Sequence, residues 1–410
     1  MLRRRAPRAA RPGQEGGRRA DLRARRSGGH RGSRRCRSWC GAPDPGEGPL
    51  NPDRCSRLAA LLGPAGCDAL LVTSLTNIRY LVGFTGSAGR LLVRAEGPAL
   101  LVTDGRYAEQ AEAQLATAGV STLVELAIAG RDANGVLASR IPGETSLGLE
   151  AEHVTWADHR RYASEWLPGI ELVPTEGLVG GLRAVKDDAE LELLARAAAI
   201  ADAALEQVLH RLAHGPTESE FRDELEAAMR AGGAEAPSFE TIVASGPNSS
   251  RPHARPSDRR VRSGDTVVLD FGALVQGYHS DMTRTVHVGG PSPDQRKVFD
   301  VVHGAQQAGV DAVEPGRRLA AVDAACRDAI ALAGYGERFV HGTGHGVGLD
   351  IHEDPWVAGW SSGTLVEGHV VTVEPGIYLP GEFGVRIEDT VVVTPDGCRR
   401  LTNTPKHLEV

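Results

Sequence analysis

The sequence is poor in cysteine and has no long hydrophobic run. Its 410 residues include six cysteines without framework spacing, which excludes a disulfide scaffold of the kind found in small secreted domains. No run of 18 apolar residues occurs, so we expect no transmembrane helix. The amino-terminal stretch lacks the apolar segment that a secretory or twin-arginine signal requires. These absences predict a cytoplasmic protein with no membrane partner.

Residues 1–50 differ in composition from the rest of the chain. They contain 14 arginines against four acidic residues, whereas the whole chain has a formal net charge of −7. The segment is rich in Gly, Ala and Pro and cannot bury a core, so it is predicted to be a disordered tail in which Cys36 and Cys40 form no metal site. The alternatives are a nucleic-acid or membrane arm, or an upstream stretch included by the choice of start site. We expect no nucleic-acid partner.

Residues 51–178 alternate between helical and strand-like segments. The pattern predicts helices at 53–63, 107–118 and 155–164, and strands at 69–73, 91–93, 99–103, 122–127 and 147–149. Such alternation is typical of an open α/β domain. The glycine-containing segment 175–186 is predicted to be a linker.

Residues 186–405 predict an α+β domain. Asp187 with Glu190, and Thr217 with Glu220, stand at capping-box spacing before two helices. Two more helices are expected at 294–313 and 319–332, and β segments at 239–244, 266–288, 370–378 and 385–394.

Two acidic residues interrupt an apolar hairpin in TVVLDFGALVQGYHSDMTRTVHV. A carboxylate inside such a strand is costly to bury unless something compensates its charge. A turn centred on Val275–Gln276 would place Asp270 directly opposite Asp281, where like charges destabilise a sheet. The alternative is a pair of surface acids, or a bulge that changes the register.

The same pattern recurs near the carboxyl end. Glu374 ends the apolar run HVVTVEPGIY, and Glu388 lies in VRIEDTVVV two residues after Arg386. Four acids in apolar strands require more positive charge than one arginine supplies. Two divalent cations would supply it, in an arrangement that suits metal-assisted hydrolysis.

The segment HGTGHGVGLDIHE holds three histidines among four glycines. His341 and His345 have the spacing of a helical zinc pair, but a helix interior is unfavourable because each glycine costs about 1 kcal/mol there. A loop or irregular strand close to a ligand is expected instead. Four carboxylates and one imidazole would favour Mn²⁺ or a similar hard cation over structural zinc. The spacing does not decide which histidine is the ligand.

Together these residues resemble the pita-bread metallopeptidases, in the branch that contains aminopeptidase P and Xaa-Pro dipeptidase (prolidase). The motifs are Asp270, Asp281, HGTGHGVGLDIHE, VEPGIY and RIEDT. In addition, NIRYLVGFTGSAG and TDGRY resemble the creatinase-like amino-terminal domain of that branch, and LRAVKDDAELELLARAAAIAD resembles the start of its catalytic domain. The resemblance covers about residues 55–405. It implies an α/β domain followed by an α+β pita-bread catalytic domain.

The resemblance also implies a metal site and an activity. The metal ligands would be Asp270, Asp281, His345, Glu374 and Glu388, with Asp281 and Glu388 bridging two divalent ions. Mn²⁺ is the expected metal, with Co²⁺ and Zn²⁺ as alternatives. His253, His352 and Glu374 would be catalytic, and His341 and Arg386 would bind substrate. The implied enzyme is a metallo-exopeptidase that hydrolyses the bond before proline, through a metal-bridging hydroxide, in dipeptides or at peptide amino termini.

Three other functions share the pita-bread fold. Creatinase lacks the metal ligands, methionine aminopeptidase usually lacks the additional amino-terminal domain, and some pita-bread domains only bind peptides or proteins. The complete set of acids and the first domain favour the Xaa-Pro peptidases over all three. The resemblance further implies a homodimer whose partners are proline-containing peptides.

Overall fold

The computed structural model describes residues 51–130, 132–142 and 145–410. The predicted disordered tail, with Cys36 and Cys40, lies outside the described residues. Within them, no helix is both long enough and apolar enough to cross a membrane.

The first part of the described chain is an α/β unit built on one six-stranded sheet. Its elements are α1 (Arg54–Leu62), β1 (Ala69–Val72), α2 (Leu75–Val82), β2 (Gly89–Arg94), β3 (Ala99–Thr103), α3 (Ala108–Thr117), β4 (Val124–Ile128), α4 (Ala133–Ala138), β5 (Ser146–Glu150), α5 (Trp156–Arg161) and β6 (Glu171–Thr175). The strand order is β4-β3-β2-β1-β5-β6. β2 is antiparallel to both of its neighbours, and the other pairs are parallel. The predicted α/β alternation is confirmed, although α2, α4 and β6 were not predicted.

The predicted linker is wrong, because it contains the helix α6 (Leu178–Ala184). Gly177 precedes this helix in the left-handed conformation, with φ of +64°. Val179 and Leu182 are buried in the same apolar cluster as the core of the first sheet. Burial of their side chains, each worth about 1.5–3 kcal/mol, offsets the poor helix propensity of Gly180 and Gly181.

The second part of the chain is α+β, as predicted. Its helices are α7 (Asp188–Val208), α8 (Glu218–Ala231), α9 (Pro293–Asp311) and α10 (Leu319–Leu332). Complete capping boxes at Asp187 with Glu190 and at Thr217 with Glu220 begin α7 and α8. These side chains satisfy backbone N–H groups that would otherwise be unpaired at the helix ends, which explains why the starts of both helices could be read from the sequence.

The strands of this second part form several small sheets. They are β7 (Ala236–Pro237), β8 (Ile242–Ser245), β9 (Thr266–Phe271), β10 (Ala273–Val275), β11 (Tyr278–His279), β12 (Met282–His287), β13 (Gly344–Gly346), β14 (Glu353–Val357), β15 (Val370–Val373), β16 (Gly376–Leu379), β17 (Phe383–Arg386), β18 (Asp389–Thr394), β19 (Gly397–Arg400) and β20 (Leu408–Glu409). Two sheets concern the site: β20-β12-β9-β8, and β14-β13-β15-β18-β19. The strand predicted at 239–244 begins only at Ile242.

Helices cover one face of each of these two sheets. Phe221 and Leu225 of α8 share a buried cluster with Leu269 and Phe271 of β9. Helices α9 and α10 bury Val302 and Val322 in a second cluster with strands β15 and β18. Since side chains alternate along a strand, Asp270 lies between two core residues and faces away from the helices. The face of the first of these sheets that is opposite the helices therefore holds Asp270.

Candidate metal centre

The hairpin that carries the first two acids has a different register from the predicted one. Asp270 of β9 lies opposite Thr283, and Leu274 lies opposite His279. The turn is therefore centred on Gln276–Gly277, where both residues have positive φ, +46° and +73°. The predicted direct pairing of Asp270 with Asp281 is wrong. The two acids are instead diagonal neighbours, and because the register moves by two residues, the side-chain face is retained.

The second pair of acids lies at breaks between strands. Glu374 follows β15, and its backbone N–H donates to the carbonyl of Thr343 (2.8 Å). Glu388 lies between β17 and β18, where its N–H donates to the carbonyl of Thr283 (3.1 Å). The Thr283 hydroxyl also donates to the Glu388 carboxylate (2.7 Å). Thr283 lies on β12, which directly follows Asp281, so these hydrogen bonds hold Glu388 next to the hairpin acids.

The acids come together in one buried cluster. One carboxylate oxygen from each of Asp270, Asp281 and Glu388 lies within 4.8 Å of the other two. His345 Nε2 joins the cluster at 3.6 Å from Asp281 and 3.4 Å from Glu374. Five side chains from separate segments of the chain thus converge on one place.

Burial and mutual repulsion act on the carboxyl groups of this cluster. Burial, and then the charge of Glu388, raise the pKa of Asp281 well above its ordinary value. Burial, and then the charges of Glu374 and Asp270, do the same to the pKa of Glu388. Burial alone would also raise the pKa of Glu374, but the hydrogen bond and charge of His345 lower it to about 2. The centre therefore has an excess of negative charge that its own cations do not neutralise.

His345 presents a defined ring nitrogen to the acids. Its Nδ1–H donates to the carbonyl of Gly346 (3.0 Å), so Nε2 faces Asp281 and Glu374. A histidine ligand is commonly oriented in this way, with the second nitrogen bonded to a carbonyl. His345 is thus oriented as a metal ligand requires.

The glycines of HGTGHG serve close packing between strands. The segment is not helical and includes the short strand β13. A Cβ on Gly344 would lie 2.0 Å from the carbonyl oxygen of Thr372, and a Cβ on Gly346 would lie 2.2 Å from that of Asp354. The expected close approach therefore exists, but these two glycines approach neighbouring backbone segments of the protein.

A chain of hydrogen bonds connects His341 to the acids. The Tyr378 hydroxyl lies 2.9 Å from His341 Nε2 and accepts from Arg386 Nη1, also at 2.9 Å. Arg386 Nη2 donates to Asp270 (2.6 Å), and its Nε donates to Thr283 (3.1 Å). His341 Nδ1 donates to the carbonyl of Gly342 (2.8 Å). His341 therefore has partners for both nitrogens, and Arg386 is held chiefly by protein groups.

Two other predicted histidines lie near the cluster and are exposed to solvent. The His352 ring contacts His345 (centroids 4.3 Å apart) and stacks on Trp356 at 6.2 Å. The carbonyl of Pro252, the residue before His253, accepts a hydrogen bond from Arg386 Nη1 at 3.1 Å. His352 and the segment of His253 therefore lie next to side chains that contact the acids. Burial, and then the charge of His345, lower the pKa of His352.

The donor set fits hard divalent cations. Asp270 Oδ1 and Glu388 Oε1 are buried and have no hydrogen-bond partner among the described residues. Such oxygens are costly to leave unpaired, and a cation would satisfy them. Carboxylates with one imidazole suit Mn²⁺ and related ions. The residues present can thus hold a metal.

Comparison with known families agrees with this geometry. Residues 192–395 match the model of the metallopeptidase family M24, and residues 54–185 match that of the creatinase/prolidase N-terminal domain. The chain belongs to the M24 metallopeptidase family. The predicted fold, a creatinase-type α/β domain followed by a pita-bread catalytic domain, is confirmed, as is the prediction of a metallo-exopeptidase.

Three relatives illustrate the likeness. The chain is 42% identical to the uncharacterized peptidase YqhT of Bacillus subtilis, over 86% of this chain and 98% of that protein. The solved Xaa-Pro dipeptidase of Bacillus anthracis is 40% identical, with a TM-score of 0.82 over 87% of this chain and 99% of the other. The X-Pro aminopeptidase of Thermotoga maritima is 36% identical, with a TM-score of 0.78 over 86% and 100%. Solved structures with this fold thus include one named a dipeptidase and one named an aminopeptidase.

Sequence reasoning missed several residues of the site. Tyr378 stands in the VEPGIY motif but was not given a role, although it connects His341 and Arg386. Thr283 and Trp356 were also missed. A signal existed for Tyr378, because a buried tyrosine hydroxyl usually has a hydrogen-bond partner. The sequence offered no comparable signal for Thr283, whose role depends on the hairpin register.

Proposed function

We propose that the protein is a dinuclear-metal Xaa-Pro peptidase that hydrolyses the bond before proline in dipeptides or at peptide amino termini. The observation that carries the proposal is the convergence of Asp270, Asp281 and Glu388 within 4.8 Å, in a buried cluster short of positive charge. The names of the Bacillus anthracis and Thermotoga maritima relatives support a proline-directed substrate.

The proposed ligands are the five convergent side chains. Asp281 and Glu388 would be shared by two ions, Asp270 would complete the set for one ion, and His345 with Glu374 would complete the set for the other. Two divalent cations, when bound, supply the charge that lowers the pKa of water, so that hydroxide is available near neutral pH. Mn²⁺ is the proposed metal, since oxygen ligands outnumber nitrogen.

The remaining polar groups act on the substrate. His352 and His253 are exposed beside the cluster and would donate hydrogen bonds to the oxygen of the carbonyl group under attack, where charge develops. Glu374 has a pKa lowered to about 2 and lies 3.4 Å from His345, so it begins as a carboxylate that can accept the proton lost by the attacking water. It would then pass this proton to the imino nitrogen that leaves.

Arg386 and His341 have supporting roles in this proposal. Arg386 fixes the Asp270 carboxylate at 2.6 Å, and through Tyr378 it also fixes the ring of His341. His341 would border the substrate, because Tyr378 and Arg386 connect it to Asp270. The hydrogen-bonded series Asp270, Arg386, Tyr378 and His341 would connect the metal centre to the bound peptide.

The test is hydrolysis of Ala-Pro and Ala-Pro-Ala by metal-depleted protein before and after addition of Mn²⁺. Ala-Ala and Ala-Ala-Ala serve as matched controls for the proline requirement. We expect metal-dependent cleavage of at least one proline peptide and loss of cleavage on chelation. Failure to cleave either proline peptide with metal bound would contradict the proposal, and would favour a pita-bread module that only binds peptides.

The two proline peptides also separate the two exopeptidase types. Cleavage of Ala-Pro alone indicates a dipeptidase, whereas cleavage of Ala-Pro-Ala indicates an aminopeptidase.

We further propose that the protein acts as a cytoplasmic homodimer, with two domains that span residues 51–178 and 186–405. Analytical ultracentrifugation tests the dimer.

A further inference from the structure

A buried ionic cluster lies beside the metal centre, on the segment that carries His352. Glu353 follows His352 directly, and its carboxylate accepts hydrogen bonds from Arg183 Nη2 and from Lys186 Nζ, the latter at 2.5 Å. The Lys186 side chain is fully buried, and those of Arg183 and Glu353 are 7% and 8% exposed. Asp350, two residues before His352, accepts from the same Arg183 nitrogen at 2.7 Å. Arg183 therefore holds both flanks of His352.

The cluster continues into the first domain. Arg183 Nη1 donates to Asn77 Oδ1 (2.9 Å), and Asn77 Nδ2 donates to Glu150 (2.7 Å). The neighbouring Thr76 hydroxyl donates to Asp350 (3.3 Å). Both Thr76 and Asn77 belong to α2, which packs on the first sheet. The segment around His352 is thus connected to the first domain by hydrogen bonds.

His352 needs such support because regular structure does not supply it. β13 ends at Gly346 and β14 begins at Glu353, so His352 lies in an irregular connection. Its ring is exposed, with contacts to His345 and Trp356. A hydrogen-bond donor must be held within about 0.5 Å of its working position to stabilise developing charge. The ionic contacts of residues 350 and 353 can impose that position from both sides.

We infer that Arg183 is a positioning residue for His352, and that through it the first domain holds this histidine in place for catalysis. The inference rests on the proposed function, in which His352 donates to the oxygen of the carbonyl group under attack. Arg183 touches neither the acids of the metal centre nor, in this account, the substrate. Its effect on turnover must therefore pass through His352.

Arg54 provides a matched control. It is also a buried arginine that joins the first domain to the start of the second, with contacts to Asp187 (2.8 Å) and Glu190 (3.2 Å). Its Nη1 donates to the carbonyl of Tyr80 (2.8 Å). None of these partners is Asp350, His352 or Glu353. Loss of Arg54 loosens the contact between domains without releasing Asp350 or Glu353.

The kinetic test is a double-mutant cycle of Arg183→Met with His352→Ala. We expect Arg183→Met to lower kcat by about 10–100-fold, as is usual for residues that orient a functional group, with KM and bound metal unchanged. In the His352→Ala background, Arg183→Met should cause no further loss. Arg183→Lys should recover part of the activity, and Arg54→Met should leave kcat unchanged. Equal losses in both backgrounds, or an equal loss in Arg54→Met, would overturn the inference.

Milder variants and a second readout cover the case in which Arg183→Met does not fold. The Asp350 side chain is 45% exposed, so Asp350→Asn removes one ion pair at a half-exposed position. In metal-free protein with ¹³C-labelled histidine, the His352 resonance is identified by its loss in His352→Ala. It should move in Arg183→Lys and Asp350→Asn but not in Arg54→Lys. A resonance that stays in place would overturn the inference even if the enzyme cleaves Xaa-Pro. A resonance that moves while no peptide is cleaved would leave the positioning intact and refute the proposed function.

Discussion

Glu388 and Asp389 are neighbours in the chain, but they lie in opposite electrostatic environments. Glu388 faces Asp270 and Asp281, and its Oε1 has no hydrogen-bond partner among the described residues. Asp389 is equally buried, yet its carboxylate is paired with Arg284 (2.9 Å), Arg400 (3.0 Å) and Lys406 (2.7 Å). The environment of Glu388 is short of positive charge, whereas that of Asp389 has three cationic side chains for one carboxylate.

This contrast shows which buried acids require a cation from outside the protein. A buried carboxylate is tolerated when it is paired and hydrogen-bonded, as Asp389 is by Arg284, Gln306 and Thr402. A group of carboxylates that raise one another's pKa values is tolerated when it coordinates metal. Burial alone does not distinguish the two cases, whereas the balance of charge does.

The largest expected effect comes from removing a bridging acid. Asp281→Asn should abolish peptide hydrolysis and lower the bound metal, because its carboxylate lies within 4.8 Å of Glu388 and 3.6 Å from His345 Nε2. Metal analysis and the Ala-Pro assay measure the two effects. Full activity in this variant would refute the bridging assignment, and Asp300→Asn on the outer face of α9 controls for loss of an acid elsewhere.

The two histidines of HGTGHG should differ in metal binding. His345→Ala should weaken metal binding by more than the roughly tenfold expected for loss of a supporting residue, because its Nε2 faces the acids. His341→Ala should retain the metal, since His341 bonds to Tyr378 and Gly342, and should change the kinetics toward peptides. Titration of each metal-free variant with Mn²⁺ gives the affinities. Equal losses would instead indicate that both rings are ligands.

Stability of the metal-free protein should distinguish Glu388 from Asp389. Asp389→Asn should destabilise the fold by about 3–5 kcal/mol, because it leaves buried cations without their partner. Glu388→Gln should cost less or stabilise the metal-free protein, because it removes repulsion from the centre. Urea unfolding measures both. A larger cost for Glu388→Gln would reverse the comparison.

The smallest expected effect is a pH dependence of the metal-free protein. Folding raises the pKa values of Asp281 and Glu388, so the folded state favours their protonated forms. The free energy of unfolding should therefore be highest below the unfolded pKa of about 4 and should fall as pH rises toward the folded values. Unfolding in urea between about pH 4 and about pH 8 measures this free energy. In the Glu388→Gln variant its decrease with pH should be smaller. Saturating Mn²⁺ should remove the fall, and a metal-free protein that gains stability across this range would contradict the charge argument.

Much of the fold could be predicted because local signals agreed with it. The capping boxes at Asp187 and Thr217 and the apolar strands of the first sheet are confirmed. The helix α6 was missed because Gly180 and Gly181 argue locally for a linker, whereas the burial of Val179 and Leu182 depends on the rest of the fold.

The acids of the site could be predicted, but their arrangement could not. Asp270, Asp281, Glu374 and Glu388 stand out because a charge inside an apolar strand requires compensation. Their geometry depends on a turn at Gln276–Gly277 that lies one residue beyond the predicted one. The difference between His341 and His345 depends on the Tyr378 hydroxyl and the Gly346 carbonyl, and neither contact follows from the spacing of the histidines.

The number of metal ions bound per chain tests the central claim most directly. Calorimetric titration of metal-depleted protein with Mn²⁺, checked by elemental analysis, should give two ions per chain for the wild type. A folded variant that changes only the surroundings of Asp389, such as Arg400→Gln, should bind the same number. The Asp281→Asn variant should lose this binding. A wild-type chain that binds no Mn²⁺, or that cleaves Ala-Pro at full rate after complete removal of metal, would contradict the account.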